Sequence, residues 1–143
     1  MFEKIICKDQ VLAIIIYANY KAEGISFFTP DNYPQQLAYM NRPKGYKIVP
    51  HVHNPVIREV MFTQEVLFIK TGKIRIDFYE ESKKYIESRV IQKGDVVLLA
   101  NGGHGFEMLE ESEIIEVKQG PYQGELDKIR FDSVAAEDVK VRE

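Results

Sequence analysis

The chain alternates short runs of Ile, Val, Phe and Tyr with turn residues, and it nowhere sustains the apolar period of an amphipathic helix. Branched and aromatic side chains pack well on a pleated surface, so such runs read as strands. The expected strands cover residues 11–20, 24–29, 36–40, 46–53, 65–70, 73–80, 85–91, 96–100, 105–109 and 113–119. Turn signals separate them: Thr29-Pro30-Asp31-Asn32, Arg42-Pro43-Lys44-Gly45, Thr71-Gly72-Lys73 and Lys93-Gly94-Asp95. In the sixth run Ile74, Ile76 and Phe78 fall on one face, and Arg75, Asp77 and Tyr79 on the other. Many short strands joined by tight turns define an all-β sandwich or barrel. The charged stretch 127–143 reads as a short helix or a loose tail.

A length of 143 residues fits one domain, divided here into N-terminal strands 1–44, a barrel 45–119 and a tail 120–143. Apolar residues make up 45% of the chain, enough for a core. A net charge of −3 gives no basic surface for nucleic acid. The apolar run 11–16 is too short for a membrane span, which takes about 20 residues. The start, Met1-Phe2-Glu3-Lys4, lacks the layout of a signal peptide, and the single cysteine, Cys7, makes no internal disulfide. These features set a cytoplasmic location as the expectation. Runs 11–16 and 96–99 are apolar on both faces, and a second subunit is expected to cover one of them, giving a homodimer.

All three histidines fall where a metal site needs them. His51 and His53 are alternate residues of one expected strand and point the same way, while His104 sits in Asn101-Gly102-Gly103-His104-Gly105. Glu65 lies between the two groups. Three imidazoles and a carboxylate make a first-row metal site with open positions, suited to Fe, Mn, Ni, Co or Zn. The bland alternative for His51 and His53 is a solvated pair near a loop. Glu59 is the rival carboxylate, six residues after His53.

These residues resemble the motifs of the cupin superfamily. Gly45 is followed by five residues and then His51-Val52-His53, and Glu65 by six residues and then Gly72, as in the first cupin motif. Eleven residues separate His53 from Glu65, where the family has three or four, so residues 54–64 are read as containing an inserted loop. In the second motif Gly94 is followed by five residues and then Ala100-Asn101-Gly102-Gly103-His104. There Ala100 replaces a proline, one residue is missing before His104, and Met108 stands in the Asn position. The resemblance spans roughly residues 45–118. It implies a double-stranded β-helix, or jelly roll, with His51, His53, Glu65 and His104 as metal ligands. The chain also resembles uncharacterised cupins encoded among bacterial surface-polysaccharide genes, which points to sugars or sugar acids.

Arg58, Arg75 and Tyr46 are the candidates for binding a substrate: an arginine at the barrel mouth can hold a carboxylate or phosphate as a bidentate pair. Arg89, Tyr79 and Tyr122 are weaker candidates. Gln64 and Glu107 are expected to face away from the site, and Glu116 and Lys118, which share a face, to form a surface ion pair, the alternative being an acid–base pair that reaches the cavity. Gly102, Gly103 and Gly105 are expected to allow a tight backbone path beside the metal. The functional expectation is a metal-dependent isomerase, epimerase or lyase acting on a small polar metabolite, with no nucleic-acid or membrane partner. The alternatives are an Fe(II)-dependent dioxygenase, a non-catalytic small-molecule-binding module and an inert jelly roll.

Overall fold

The structure is a computed structural model, and it describes residues 1–142. Its first hairpin joins β1 (Phe2–Cys7) to β2 (Gln10–Ile16) through Lys8 and Asp9, whose φ angles of 49° and 65° suit a tight turn between twisted strands. The sequence pattern gave no sign of β1, because polar and apolar residues mix along it and only Ile5 is fully buried. A second hairpin pairs β3 (Gly24–Phe27) with β4 (Ala38–Asn41). Six further strands follow: β5 (Glu65–Thr71), β6 (Lys73–Tyr79), β7 (Tyr85–Gln92), β8 (Val96–Leu99), β9 (Gly103–Met108) and β10 (Glu113–Lys118).

These strands build a five-stranded sheet in the order β1-β2-β8-β5-β10 and a three-stranded sheet in the order β7-β6-β9, with every strand pair antiparallel. The protein is therefore all-β, and neither sheet closes on itself. The main core lies between the two sheets. Ile5, Leu12, Ile15, Leu67 and Ile69 come from one, and Ile74, Ile76, Phe78 and Ile91 from the other. Each such side chain contributes about 1.5–3 kcal/mol by leaving water. The β6 alternation expected from sequence sets this face.

The other face of β2, β8 and β5 carries Ile14, Ile16, Leu98 and Val66. The chain's own segment 24–41 covers it, with Phe28 and Leu37 packed against these residues. The second apolar face of β2 and β8 thus needs no second subunit, contrary to the reason given above for a dimer.

Tight turns position the strands. Asp95, 3% exposed, accepts hydrogen bonds from the backbone N–H groups of Ala18 and Gln92, both at 2.8 Å, and so locks the turn before β8. Gly72 has φ +81°, and a Cβ there would overlap Ser112 and the Glu111 carbonyl. The tail forms two short 3-10 turns, Gly124–Asp127 and Ala136–Asp138. It then bridges β7 in parallel at Ser88 and Val141, which blunts that sheet edge.

One expected strand is not formed. Residues 46–53 carry no strand pairing, and every residue from 41 to 63 is exposed. A strand is stable only when a neighbour satisfies its backbone groups. Here the segment stands off the body, and no neighbour is supplied. Among the described residues, no helix is long and apolar enough to cross a membrane.

Candidate functional site

Strand parity brings three polar residues together from distant parts of the chain. Glu65 opens β5 on the face that also holds Leu67 and Ile69. His104 lies in β9 opposite Phe78 of β6, so it shares the inner face of the three-stranded sheet. Lys118 ends β10 directly opposite Glu65. As a result His104 Nε2 stands 3.3 Å from Glu65 Oε2, and Lys118 Nζ donates to Glu65 Oε1 at 2.8 Å. Lys118 also pairs with Glu116 at 3.0 Å.

The Glu65 side chain is only 13% exposed, yet it stays a carboxylate. The hydrogen bond from His104, and after it the one from Lys118, outweigh the cost of burial and hold its pKa down near about 2. The same contact with Glu65, helped by Glu116, pushes the Lys118 ammonium well above the usual lysine range.

Glu65 and His104 line a cleft of about 460 Å³ whose other walls include Tyr79, Asp127, Lys128, Arg130 and Phe131. The C-terminal tail forms one side of it. Phe131 meets Tyr79 edge-on at 5.0 Å, and the Val134 N–H donates to the Tyr79 hydroxyl at 3.0 Å. The glycines before His104 permit this closeness. Gly102 has φ +70°, and a Cβ on it would overlap the Tyr79 carbonyl, while one on Gly103 would press on the Phe131 ring at 2.9 Å. Gly105 is not crowded in this way: its Cβ would only touch Tyr79 at 3.9 Å.

The four expected metal ligands divide into two pairs. Glu65 and His104 meet in the cleft. His51 and His53 stay together on the exposed segment, their ring centroids 5.2 Å apart and His51 Nδ1 3.0 Å from the Val49 carbonyl. Among the described residues, no three His, Cys, Asp or Glu side chains converge on one point. Glu65 and His104 set an oxygen beside a nitrogen donor, and His51 and His53 set two nitrogen donors together, but as placed the four do not converge. The rival Glu59 lies on the same exposed segment.

The expected substrate-binding residues lie outside the cleft. Tyr46 is exposed, with the Arg42 guanidinium over its ring at 4.7 Å. Arg58 is exposed and donates only to the Val56 carbonyl, at 3.4 Å. Arg75 lies on the outer face of the three-stranded sheet and is held by Asp77 at 2.8 Å and Glu107 at 2.6 Å. Glu107 therefore does face away from His104, as parity predicts. Gln64, 2% exposed, is buried beside the site with its amide oxygen unpartnered. Arg89 is bound into a buried ion cluster with Glu3 and Glu87. Tyr122 is 84% exposed, whereas Tyr79 does line the cleft.

Sequence reasoning missed Lys118 as the partner of Glu65 and read it as half of a surface pair. Its strand parity with Glu116 was visible, but the β5–β10 pairing that sets it against Glu65 has no local signature. The tail residues 127–133 that wall the cleft carried no signal. Comparison with family models, curated proteins and solved structures finds no match to this chain.

The Glu65 contacts make stability depend on pH. Its folded pKa lies near about 2, below the ordinary 4.5. The contacts therefore contribute in full above pH 4.5 and are lost as the pH falls toward 2, by about 2 kcal/mol in metal-free protein. Glu65→Gln should lower stability at pH 7 by about that much and at pH 2.5 by only about a quarter of it. Urea unfolding with chelator at the two pH values checks this; an equal deficit at both would refute it.

Proposed function

We propose that the protein is a metal-binding cupin that acts on a small polar metabolite of the sugar or sugar-acid kind, by isomerase, epimerase or lyase chemistry. One observation carries the reading. Glu65 and His104 lie on strands of two different sheets and some forty residues apart in sequence, yet they meet in one cleft. The antiparallel two-sheet architecture is compatible with a jelly roll that lacks its closing strands. A divalent metal held by His51, His53, Glu65 and His104 would polarise a substrate carbonyl or hydroxyl. The chain's own contribution is then legible. His104 and Lys118 keep Glu65 ionised, Tyr79 and Phe131 supply an apolar wall against which a sugar ring can pack, and Lys128 lends positive charge for a carboxylate or phosphate group. A non-catalytic small-molecule-binding module is the second reading, favoured by the placement of His51 and His53 apart from Glu65 and His104.

The test is metal analysis of anaerobically purified protein, wild type beside His51→Ala/His104→Ala. About one metal per chain in wild type, lost in the double variant, is the expected result, and its identity directs the assay. Iron turns the search toward oxygen chemistry, and zinc or manganese toward isomerase or lyase chemistry. Wild type that stays metal-free after reconstitution refutes the metalloenzyme and leaves the binding module.

A further inference from the structure

Residues 42–64 form an arm with the composition of a strand and the exposure of a loop. Among its exposed side chains are Ile48, Val49, Val52, Ile57, Met61 and Phe62, from 56% to fully exposed. Between residues 47 and 63 the described structure shows no backbone–backbone hydrogen bond. Water-exposed apolar residues at this density mark a surface that something covers.

The body has a matching vacancy. β9 pairs with β6 on one side only and is the open edge of its sheet. His104, Phe106 and Met108 stand opposite Phe78, Ile76 and Ile74, on the face that elsewhere makes the core. The β6 residues are at most 1% exposed, but Phe106 is 41% and Met108 52% exposed. The inner face of β9 therefore lacks its cover. An added strand would supply both the missing backbone partners and that cover. The stretch 47–53 suits the role. Val49, His51 and His53 share one face, Ile48 and Val52 the other, and Pro50 is tolerated in a strand that becomes the new edge.

We propose that two copies of this chain exchange arms, each laying residues 46–62 along the open β9 edge of the other, so that His51 and His53 of one copy join Glu65 and His104 of the second. Each chain carries one donor arm and one acceptor edge, so the exchange is reciprocal and closes with two-fold symmetry. The arm stands off its own body, leaving the edge free for the second copy. Nine large apolar side chains on each arm bury on the order of 2,000 Å² in total, the range of an obligate dimer. The exposed Ile25, Phe27 and Met40 of the β3–β4 hairpin, at the root of the arm, extend the same apolar surface. The shared site deepens the metal reading and rests on it; the arm exchange itself does not.

Two measurements separate these claims. In the first, a His51→Ala/His53→Ala chain and a Glu65→Ala/His104→Ala chain, differently tagged, are unfolded together, refolded, loaded with Co(II) and isolated as the mixed dimer. Each parent alone should bind no metal. The mixed dimer should hold one Co(II) per two chains, half the wild-type content, because one of its sites draws both halves from unaltered regions. A mixed dimer without metal beside metal-loaded wild type would overturn the proposal in favour of an arm folding onto its own chain. The second measurement needs no metal. In a Cys7→Ser background, Val49→Cys/Met108→Cys, on the face shared by His51, His53 and His104, should give a covalent dimer under mild oxidation. A band of single-chain mass, bridged internally or unreacted, would overturn the exchange even if the metal site proved real.

Discussion

Replacing Arg89 by alanine should cost about 3–5 kcal/mol of folding stability, a large share of the 5–15 kcal/mol typical of a domain. Arg89 lies on β7 with its side chain 8% exposed, donating to Glu3 of β1 at 2.8 Å and to Glu87 at 3.2 Å. It thereby ties the three-stranded sheet to the edge of the five-stranded one. Glu3 also accepts from the Tyr17 hydroxyl at 2.5 Å, and burial together with that bond pushes the Tyr17 pKa up, keeping the phenol a donor. Removing the guanidinium leaves two poorly solvated carboxylates near each other, with only the exposed Arg142, 2.6 Å from Glu87, as compensation. The penalty for a stranded charge exceeds the net worth of the pair. Arg89→Met/Glu3→Gln, which removes charge from both sides, should therefore recover most of the loss. Urea unfolding of the two single variants and the double variant makes this a thermodynamic cycle. Additive losses in the double variant would show that the two residues do not act as a pair.

Phe78→Ala should cost a similar amount, about 3–5 kcal/mol, through lost burial and the cavity left behind. Phe78 is 1% exposed in the main core, and on β6 it stands directly opposite His104. The cavity would open beside His104, so Glu65–His104 geometry should loosen along with stability. Phe106→Ala, on the same face of β9, offers the comparison: at 41% exposure it should cost the isolated chain less than about 1 kcal/mol. A larger loss there, in protein that behaves as a dimer, would match an arm covering β9. Denaturant midpoints of both variants, with unchanged slopes, supply the numbers.

The sequence by itself determined which segments are strands wherever alternation and turn chemistry agree. Ile74, Ile76 and Phe78 had to share a face because side chains alternate along a strand, and Gly72 and Gly94 marked turns because few other residues accept their positive φ. The same parity correctly turned Glu107 away from His104, while Arg75, expected to hold a substrate, faces outward beside Glu107. It also picked out Glu65 and His104 as candidates to meet, although nothing local to either residue requires it.

Only the tertiary structure decided what depends on contacts between distant segments. β1 exists because β2 pairs with it, not because its own pattern is strong. The outer face of β2 and β8 is covered by the β3–β4 segment, a choice that hydrophobicity alone leaves open between the same chain and another. Lys118 became part of the site through the β5–β10 register, and Arg89 became a buried tie between sheets rather than a surface charge. For residues 46–53 the pattern promises a strand, but a strand forms only where a neighbour pairs with its backbone. That pairing energy comes from outside the segment, so its sequence specifies the capacity to be a strand and the assembled protein decides where, and against which chain, the strand is made.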